Sequence, residues 1–362
     1  MRGGEKVLEA ICRLFPEADI YTHVYVPSAI SDSIKKHKIR TTFINSLPYA
    51  ARMYKRYLPL MPMALEQLDL SRYDLVISSE SGPSKGVIPA SPAIHVCYCH
   101  SPMRYIWNMY NRYYDDSGRL TRLMMPPLAH YLRSWDAATA NRVDSFVANS
   151  TTVSRRIRSY YRREAEVIYP PVDTHSFRPV ARSEIGDHYL MVGELVGYKR
   201  PDLAVEAFNQ MKEKLVIIGG GEMLDQLRKL AGPTVTVVGP QPFEILQAHY
   251  ARCKALVFPG EEDFGIVPVE AMASGRPVIA FGRGGATETV VAGKTGVFFD
   301  VQSVEAIIDA IERFQQMEFN PADAVARASD FRTAVFLDRF RAMINEAAGI
   351  EPAWAARNAL IA

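Results

Sequence analysis

The sequence predicts an α/β protein of two domains, each built on a mostly parallel sheet, and three observations carry that prediction. Short apolar runs alternate with helical patterns along most of the chain, which is how a parallel sheet covered by helices reads. An aperiodic stretch at residues 168–187, with Pro170, Pro171 and Pro179, interrupts the alternation. The charge balance reverses near that break: residues 1–175 carry 23 Lys+Arg against 16 Asp+Glu, and the remainder carries 19 against 24. A chain of 362 residues has room for two or three domains of ordinary size.

In order, the chain opens with Gly3-Gly4-Glu5 leading into an amphipathic helix whose stripe is Val7, Leu8, Ile11, Cys12 and Phe15, stopped by Pro16. Strand-like runs follow at residues 20–25, 42–44, 75–78, 93–99 and 145–148. Asn149-Ser150-Thr151 caps a helix from Val153 to Tyr161. Beyond the break, strands are expected at residues 189–192, 215–218, 235–238, 255–258, 278–281 and 296–299. Helices should start near Pro201, Glu222, Pro242, Gly265, Thr287 and Val304. From Pro321 to Gly349 the periodicity is purely helical. The resulting division is residues 1–170 as a first domain, 171–187 as linker, 188–330 as a second domain, and 331–362 as a helical segment that packs back on the first.

Hydrophobic content of 48% and charged content of 23% describe a soluble globular chain with ample core. No apolar run is long enough to span a bilayer, and Met1-Arg2-Gly3-Gly4-Glu5 lacks the apolar segment of a signal peptide. Cys12, Cys97, Cys99 and Cys253 show no metal-ligand spacing; Cys97 and Cys99 alternate on one face of a strand as packing. Together these features predict a cytoplasmic protein. The basic first half suits an anionic membrane surface or a phosphorylated acceptor. Its dispersed cations and the lack of a nucleic-acid motif argue against nucleic acid. Three aromatic-basic stretches, at residues 52–63, 104–114 and 119–135, suit a membrane interface, although partly buried helices with snorkelling cations read the same way.

The chemistry concentrates in residues 256–281. An apolar strand ends at Pro259-Gly260, and Glu261, Glu262 and Asp263 crowd a loop. A helix then starts near Phe264 or Gly265, with Pro268 in its first turn and Gly275 ending it. Such a loop lies at the carboxyl edge of the sheet, where open α/β folds bind ligands. Glu262 and Glu270 are two turns apart, with the amides of Phe264, Gly265 and Ile266 between them. Carboxylates accept from hydroxyls and amides donate to oxygens, a set suited to a sugar ring and a ribose. A solvated acidic loop before an ordinary helix has the same appearance.

Three other places qualify. His100 follows a strand, at a ligand-facing edge, though a lone histidine is commonly structural. Lys199-Arg200 precedes the helix opened by Pro201, a site for a diphosphate or simply a surface pair. Gly219-Gly220-Gly221 follows a strand, but Leu224 occupies the position of a dinucleotide turn's third glycine, which argues against NAD.

Taken together, the sequence resembles glycosyltransferase family 4, with its GT-B architecture of two Rossmann-like domains facing across a cleft. The resemblance rests on the Glu262-x7-Glu270 pair in EEDFGIVPVEAMASGRPVIA, on VGELVGYKRPDLAVEAF from Val192, on VIIGGGE from Val216 and on GGATETVVAGKTGVFF from Gly284. In the first domain, CYCHSPMRYIW from Cys97 and VANSTTVSRRI from Val147 resemble mannosyltransferase-like members that build bacterial polysaccharides and O-antigen lipopolysaccharide. The resemblance implies a retaining, metal-independent transfer of a hexose, mannose from GDP-mannose, from a nucleotide-sugar co-substrate to a lipid-linked or polysaccharide acceptor. No further cofactor is implied. The place of action would be the cytoplasm or the inner face of the cytoplasmic membrane.

The implied roles are specific. Glu270 would hold ribose hydroxyls. Glu262, with the amides of Phe264, Gly265 and Ile266, would hold the donor sugar. Lys199, supported by Arg200, would meet the diphosphate. Gly3 and Gly4 would lie by the phosphates, Gly239 and Pro240 would border the base, and His100 would touch the transferred sugar.

Two departures stand out. Glu194 occupies the place of a family arginine, and only Met1 and Arg2 precede the glycine pair, so the first domain is expected to lack its first, central strand. They motivate an alternative reading as an inactive nucleotide-sugar-binding protein. A metal-dependent transferase using Glu261 and Asp263 is a further alternative.

Overall fold

The structure is a computed structural model that describes residues 3–349 and 359–362. It divides into two units, one formed by Met1–Tyr169 with Phe336–Ala362 and the other by Pro170–Val335. The expected helical segment's residues 350–358, like Met1 and Arg2, lie outside the described residues.

The strands of the first unit are β1 (Asp19–Thr22), β2 (Ile39–Thr41), β3 (Leu75–Glu80), β4 (Ile94–Cys99), β5 (Ser145–Ala148) and β6 (Ala165–Val167). Those of the second are β7 (His188–Val192), β8 (Lys214–Ile218), β9 (Val235–Gly239), β10 (Leu256–Phe258), β11 (Val278–Phe281) and β12 (Gly296–Phe299). The last, β13 (Ala359–Ile361), returns to the first unit.

The first sheet has the order β2-β1-β13-β3-β4-β5-β6, with parallel pairing throughout. No strand precedes the helix Gly3–Leu14 among the described residues, yet the sheet has no gap. β13 fills the place between β1 and β3, pairing Asp19 with Leu360 and Val76 with Leu360 on its two sides. Ala362 extends this pairing, its amide donating to the Ile77 carbonyl at 2.8 Å and its carbonyl accepting from Ser79 N at 2.7 Å. Leu360 and Ile361 are buried, as a strand covered on both faces requires. Around this sheet Val7, Ile11 and Cys12 of the first helix pack with Ile77, Val96 and Tyr98. Phe336, Phe340 and Met343 of the helix Thr333–Ala347 join the same core.

One expected strand is absent. Residues 43–46 form a 3₁₀ turn, because the Thr42 hydroxyl accepts from Ile44 N at 3.4 Å and caps the turn. The strand lies just before it, at Ile39–Thr41. The helical stretch from Pro321 is likewise two helices, Pro321–Ser329 and Thr333–Ala347. They part where the Phe331 carbonyl accepts from Val172 N at 2.9 Å in an isolated bridge. All four cysteines are free and buried, Cys97 and Cys99 in one cluster with Phe146 and Val153.

In the second unit each expected strand and helix is present within two residues. Its sheet order, β12-β11-β10-β7-β8-β9, runs outward in both directions from the β10–β7 neighbours. The carboxyl ends of these two strands are therefore a topological switch point, the place where open α/β sheets bind ligands.

Candidate active site

At that switch point two loops meet. The loop after β7 turns back through a 3₁₀ turn at Gly197–Lys199. The loop after β10 passes Pro259-Gly260 into residues 261–265. Gly260 lets them touch: a Cβ there would sit 2.6 Å from Lys199 Cα. The contact brings Lys199 Nζ to 2.8 Å from Glu262 Oε1, with 15% and 20% of the two side chains exposed. Burial pulls the Lys199 ammonium down, but Glu262, Tyr198 and Glu194 outweigh it and hold its pKa above the ordinary value.

The acidic loop is held from behind by Gly284 and Gly285. Gly285 N donates to Glu262 O at 2.8 Å, and a Cβ on Gly285 would lie 2.1 Å from the Phe264 carbonyl oxygen. Phe264 is buried edge-on against Phe331, ring centres 5.5 Å apart. Gly265, at φ +82°, caps the helix Ile266–Ala273, one to two residues later than expected. The helix's opening amides have no intrahelical carbonyl to bond, which favours an anion or hydroxyl oxygens there. Inside the helix, Glu270 is buried and accepts from the Tyr250 hydroxyl at 2.8 Å. Burial, then the Glu270 charge, pushes Tyr250 well above the ordinary phenol range, so it stays a donor.

Arg200 is turned away from this pair. At φ +52° it directs its guanidinium onto Asp202, Nη2 to Oδ2 at 2.9 Å. Gly219 and Gly221 serve close packing: Cβ atoms there would meet the carbonyl oxygens of Gly193 at 1.8 Å and Leu195 at 2.5 Å. Gly239 ends β9 at φ +87°, and Pro240 lies against Gly220, on the same edge of the sheet. Among the described residues no three His, Cys, Asp or Glu side chains group as metal ligands, so Glu261 and Asp263 have no third partner of that kind.

In the first unit the structure gathers Gly4, Ser79 and His100 at the carboxyl ends of β3 and β4. Gly4, in the first turn of its helix beside Gly3, would place a Cβ 3.6 Å from His100 Nε2, and Ser79 Oγ bonds that nitrogen at 2.9 Å. His100 N donates to Glu80 O at 2.7 Å.

Beneath them is a charge cluster that the sequence reading missed. Lys85, Glu80 and Asp136 are fully buried. The Lys85 ammonium bonds Asp136 and lies 3.6 Å from Glu80 Oε1. Trp107 Nε1 and the Tyr161 hydroxyl donate to Asp136 Oδ2 at 2.7 and 2.8 Å. Burial and the Asp136 charge push Glu80 up to about 7 against the pull of Lys85. Lys85 is held above its ordinary value because the two carboxylates outweigh its burial. One sequence signal existed: Asp136 falls on the buried stripe Ala129, Leu132, Asp136, Thr139 of its helix.

With this geometry in place, comparison with known proteins is decisive for the family. The model described as Glycosyltransferase Family 4 matches residues 1–176, and that described as Glycosyl transferases group 1 matches residues 176–330. The chain joins a glycosyltransferase family 4 domain to a glycosyl transferases group 1 domain. A similar relative is the GDP-mannose-dependent alpha-(1-6)-phosphatidylinositol monomannoside mannosyltransferase of Mycobacterium tuberculosis. It is 37% identical over 174 residues, covering 40% of this chain and 45% of the relative. D-inositol 3-phosphate glycosyltransferase 1 of Catenulispora acidiphila is 30% identical over 251 residues, 59% of each chain. The chain spans about half the length of the curated relatives it matches.

Solved structures agree on the GT-B fold. Sucrose-phosphate synthase from Thermosynechococcus elongatus superposes with a TM-score of 0.72 at 20% identity, over 95% of this chain and 92% of the other. Anabaena HepE in complex with UDP and glucose gives 0.68 at 16% identity, over 95% and 96%.

Proposed function

We propose that this chain transfers a hexose from a nucleotide sugar to a lipid-linked or polysaccharide acceptor, with retention at the anomeric carbon and mannose from GDP-mannose as donor. The observation that carries the reading is the meeting of Lys199 and Glu262 at the switch point, with Glu270 and its Tyr250 partner in the adjoining helix. A diphosphate arriving there competes for Lys199 and frees Glu262 to accept from sugar hydroxyls. Glu270 is already a fixed acceptor for a ribose. The GDP-mannose dependence of the mycobacterial relative supports the donor.

In the reaction the bond from the anomeric carbon to the diphosphate oxygen breaks. The acceptor oxygen bonds that carbon from the same face, and its proton passes to the departing phosphate. Negative charge grows on the leaving group, where Lys199 and the amides of Phe264, Gly265 and Ile266 offset it. Gly239 and Pro240 border the base, and Arg200 stands next to Lys199 with its guanidinium on Asp202.

The basic first half and exposed Leu120, Leu123 and Met124 on the helix Arg119–Thr139 support attachment to an anionic membrane surface. No helix among the described residues is long and apolar enough to cross one.

Calorimetry with GDP-, UDP- and ADP-sugars tests the donor. One class should bind. Lys199→Ala and Glu270→Ala should each weaken it about tenfold to a hundredfold, as loss of a charged hydrogen bond does. Wild-type affinity in both variants would refute the site.

A further inference from the structure

The two loops that meet at the switch point carry more carboxylates than cations. The loop after β7 contributes Glu194, Lys199 and Arg200, and the loop after β10 contributes Glu261, Glu262 and Asp263. Arg200 is committed to Asp202, Nε to Oδ1 at 3.1 Å and Nη2 to Oδ2 at 2.9 Å. Among the described residues of these loops, Lys199 is thus the one cation left for a ligand, and Glu262 already holds it at 2.8 Å.

Backbone geometry brings Glu194 to this pair. Gly193, its neighbour in the chain, would place a Cβ 3.4 Å from Lys199 Nζ, and Val196 N donates to Glu194 O at 3.1 Å to tighten the turn. Leu195 is buried and its amide donates to the Gly220 carbonyl at 2.8 Å, so the exposed Glu194 stands on an anchored turn. The Glu194 charge is among those that hold Lys199 above its ordinary pKa, so its field reaches the ammonium. A carboxylate so placed repels whatever anion Lys199 receives, and more strongly the higher that anion's charge.

We infer that Glu194 is a product-release residue, which makes this site prefer the intact nucleotide sugar to the nucleoside diphosphate left after transfer. This rests on the transfer reading and deepens it at the same site. In the nucleotide sugar the terminal phosphate is esterified to the anomeric carbon. When that bond breaks, its electron pair stays on the phosphate oxygen, which takes the acceptor's proton. Above about pH 6, the range of a phosphate's second ionisation, the proton passes on to water. The product then carries one negative charge more than the donor did, and Glu194 faces it. At the same step the sugar hydroxyls leave Glu262, whose carboxylate returns to Lys199. One carboxylate reclaims the cation while the other opposes the new charge. A neutral or cationic side chain in place of Glu194 would retain the product.

The test is calorimetry on the full chain with GDP and its β-methyl ester, and in parallel with UDP and its β-methyl ester. Each ester differs from its diphosphate by a methyl group and lacks the last ionisation. At about pH 8 and low salt, Glu194→Gln should tighten the free diphosphate about threefold or more beyond any gain by its ester, the scale of one unit charge facing another across partly solvated space. Glu194→Asp, which keeps the charge, should leave the ratio of the two affinities at its wild-type value. Salt near 1 M, where screening is almost complete, should remove the difference. Equal gains by diphosphate and ester in Glu194→Gln, or a gain by neither, overturn the inference and leave the transfer reading standing. A chain that binds neither nucleotide refutes the transfer reading and this inference with it.

Discussion

Each unit has a lysine facing carboxylates near the carboxyl edge of its sheet, but the surroundings differ. In the first, Lys85 is sealed between Glu80 and Asp136, and Trp107 and Tyr161 complete the shell. In the second, Lys199 and Glu262 meet between two glycine-bearing loops with part of each side chain in solvent. A sealed cluster cannot trade its partners for a ligand, since removing one leaves a buried charge uncompensated. A pair at an open edge can. Proximity to the sheet edge alone thus does not make a charge functional; access does. The units also differ in how their sheets close. The second is made from consecutive chain, whereas the first takes a central strand from residues 359–361.

That last difference gives the largest expected effect. Deleting residues 359–362 removes the buried Leu360 and Ile361 and leaves facing edges of β1 and β3 unpaired. At about 1.5–3 kcal/mol for each buried side chain, plus the lost backbone bonds, the first unit should lose about 5 kcal/mol or more. Urea unfolding should show the loss in the first unit alone, as hydrogen exchange along β1 and β3. An unchanged midpoint and unchanged protection would show that the sheet does not depend on β13.

Next comes the sealed cluster. Lys85→Met keeps the bulk but strands Glu80 and Asp136, a cost of about 3–5 kcal/mol in chemical denaturation. Lys199→Met should cost under ~1 kcal/mol, because its partner can be solvated. Equal costs would erase the contrast between the two lysines.

In the first unit two buried groups respond to acid in opposite senses, each on a scale of about 3 kcal/mol, that of a pKa displaced by two to three units. His95 is buried, its Nδ1 donating to Arg142 O at 2.8 Å and Nε2 accepting from Ser78 Oγ at 2.9 Å. Burial lowers it to about 4 despite the Arg142 carbonyl and Asp144. A depressed folded value means stability that is present above the unfolded value near 6.5 and lost as pH falls toward 4. Glu80 opposes this: raised to about 7, it contributes fully below 4.5 and loses that contribution as pH rises through 7. Glu80→Gln should therefore steepen the acid loss of the first unit between pH 6.5 and 4.5, read as melting temperature against pH. A profile no steeper than wild type would refute the assignment.

The sequence disclosed the two units unequally for reasons that also lie in this contrast. In the second, strands such as Val278–Phe281 are wholly buried apolar runs bounded by glycine and proline, and local pattern suffices. In the first, Ala165–Val167 and Ala359–Ile361 are three residues each, and a sheet position between β1 and β3 is a non-local property that no window contains. Thr42–Phe43–Ile44 had strand-like composition, but one hydroxyl cap outweighed it. At the site, the positions of Glu262 and Glu270 were legible from spacing, while their partners were not: Tyr250 lies in another helix, and Arg200's choice of Asp202 depends on a left-handed backbone at Arg200 itself.

The mildest substitution, loss of a single hydroxyl, probes the open edge most directly. Tyr250→Phe keeps the buried ring and its edge contact with Phe177, 5.4 Å between centres, and removes only the hydroxyl that bonds Glu270. A hydrogen bond to a charged group is lost, which sets a scale of about 1.5 kcal/mol. Because Glu270 is itself almost enclosed, the alternative is that its carboxylate behaves like Asp136 and the cost rises to that of a stranded buried charge. Urea unfolding distinguishes the two. A loss near 1.5 kcal/mol, with donor affinity reduced in step, places Glu270 with Lys199 and Glu262 among groups that ligand and solvent can reach. A loss of about 3–5 kcal/mol would place it with the sealed cluster and transfer its role from binding the donor to holding the helix Ile266–Ala273 in place.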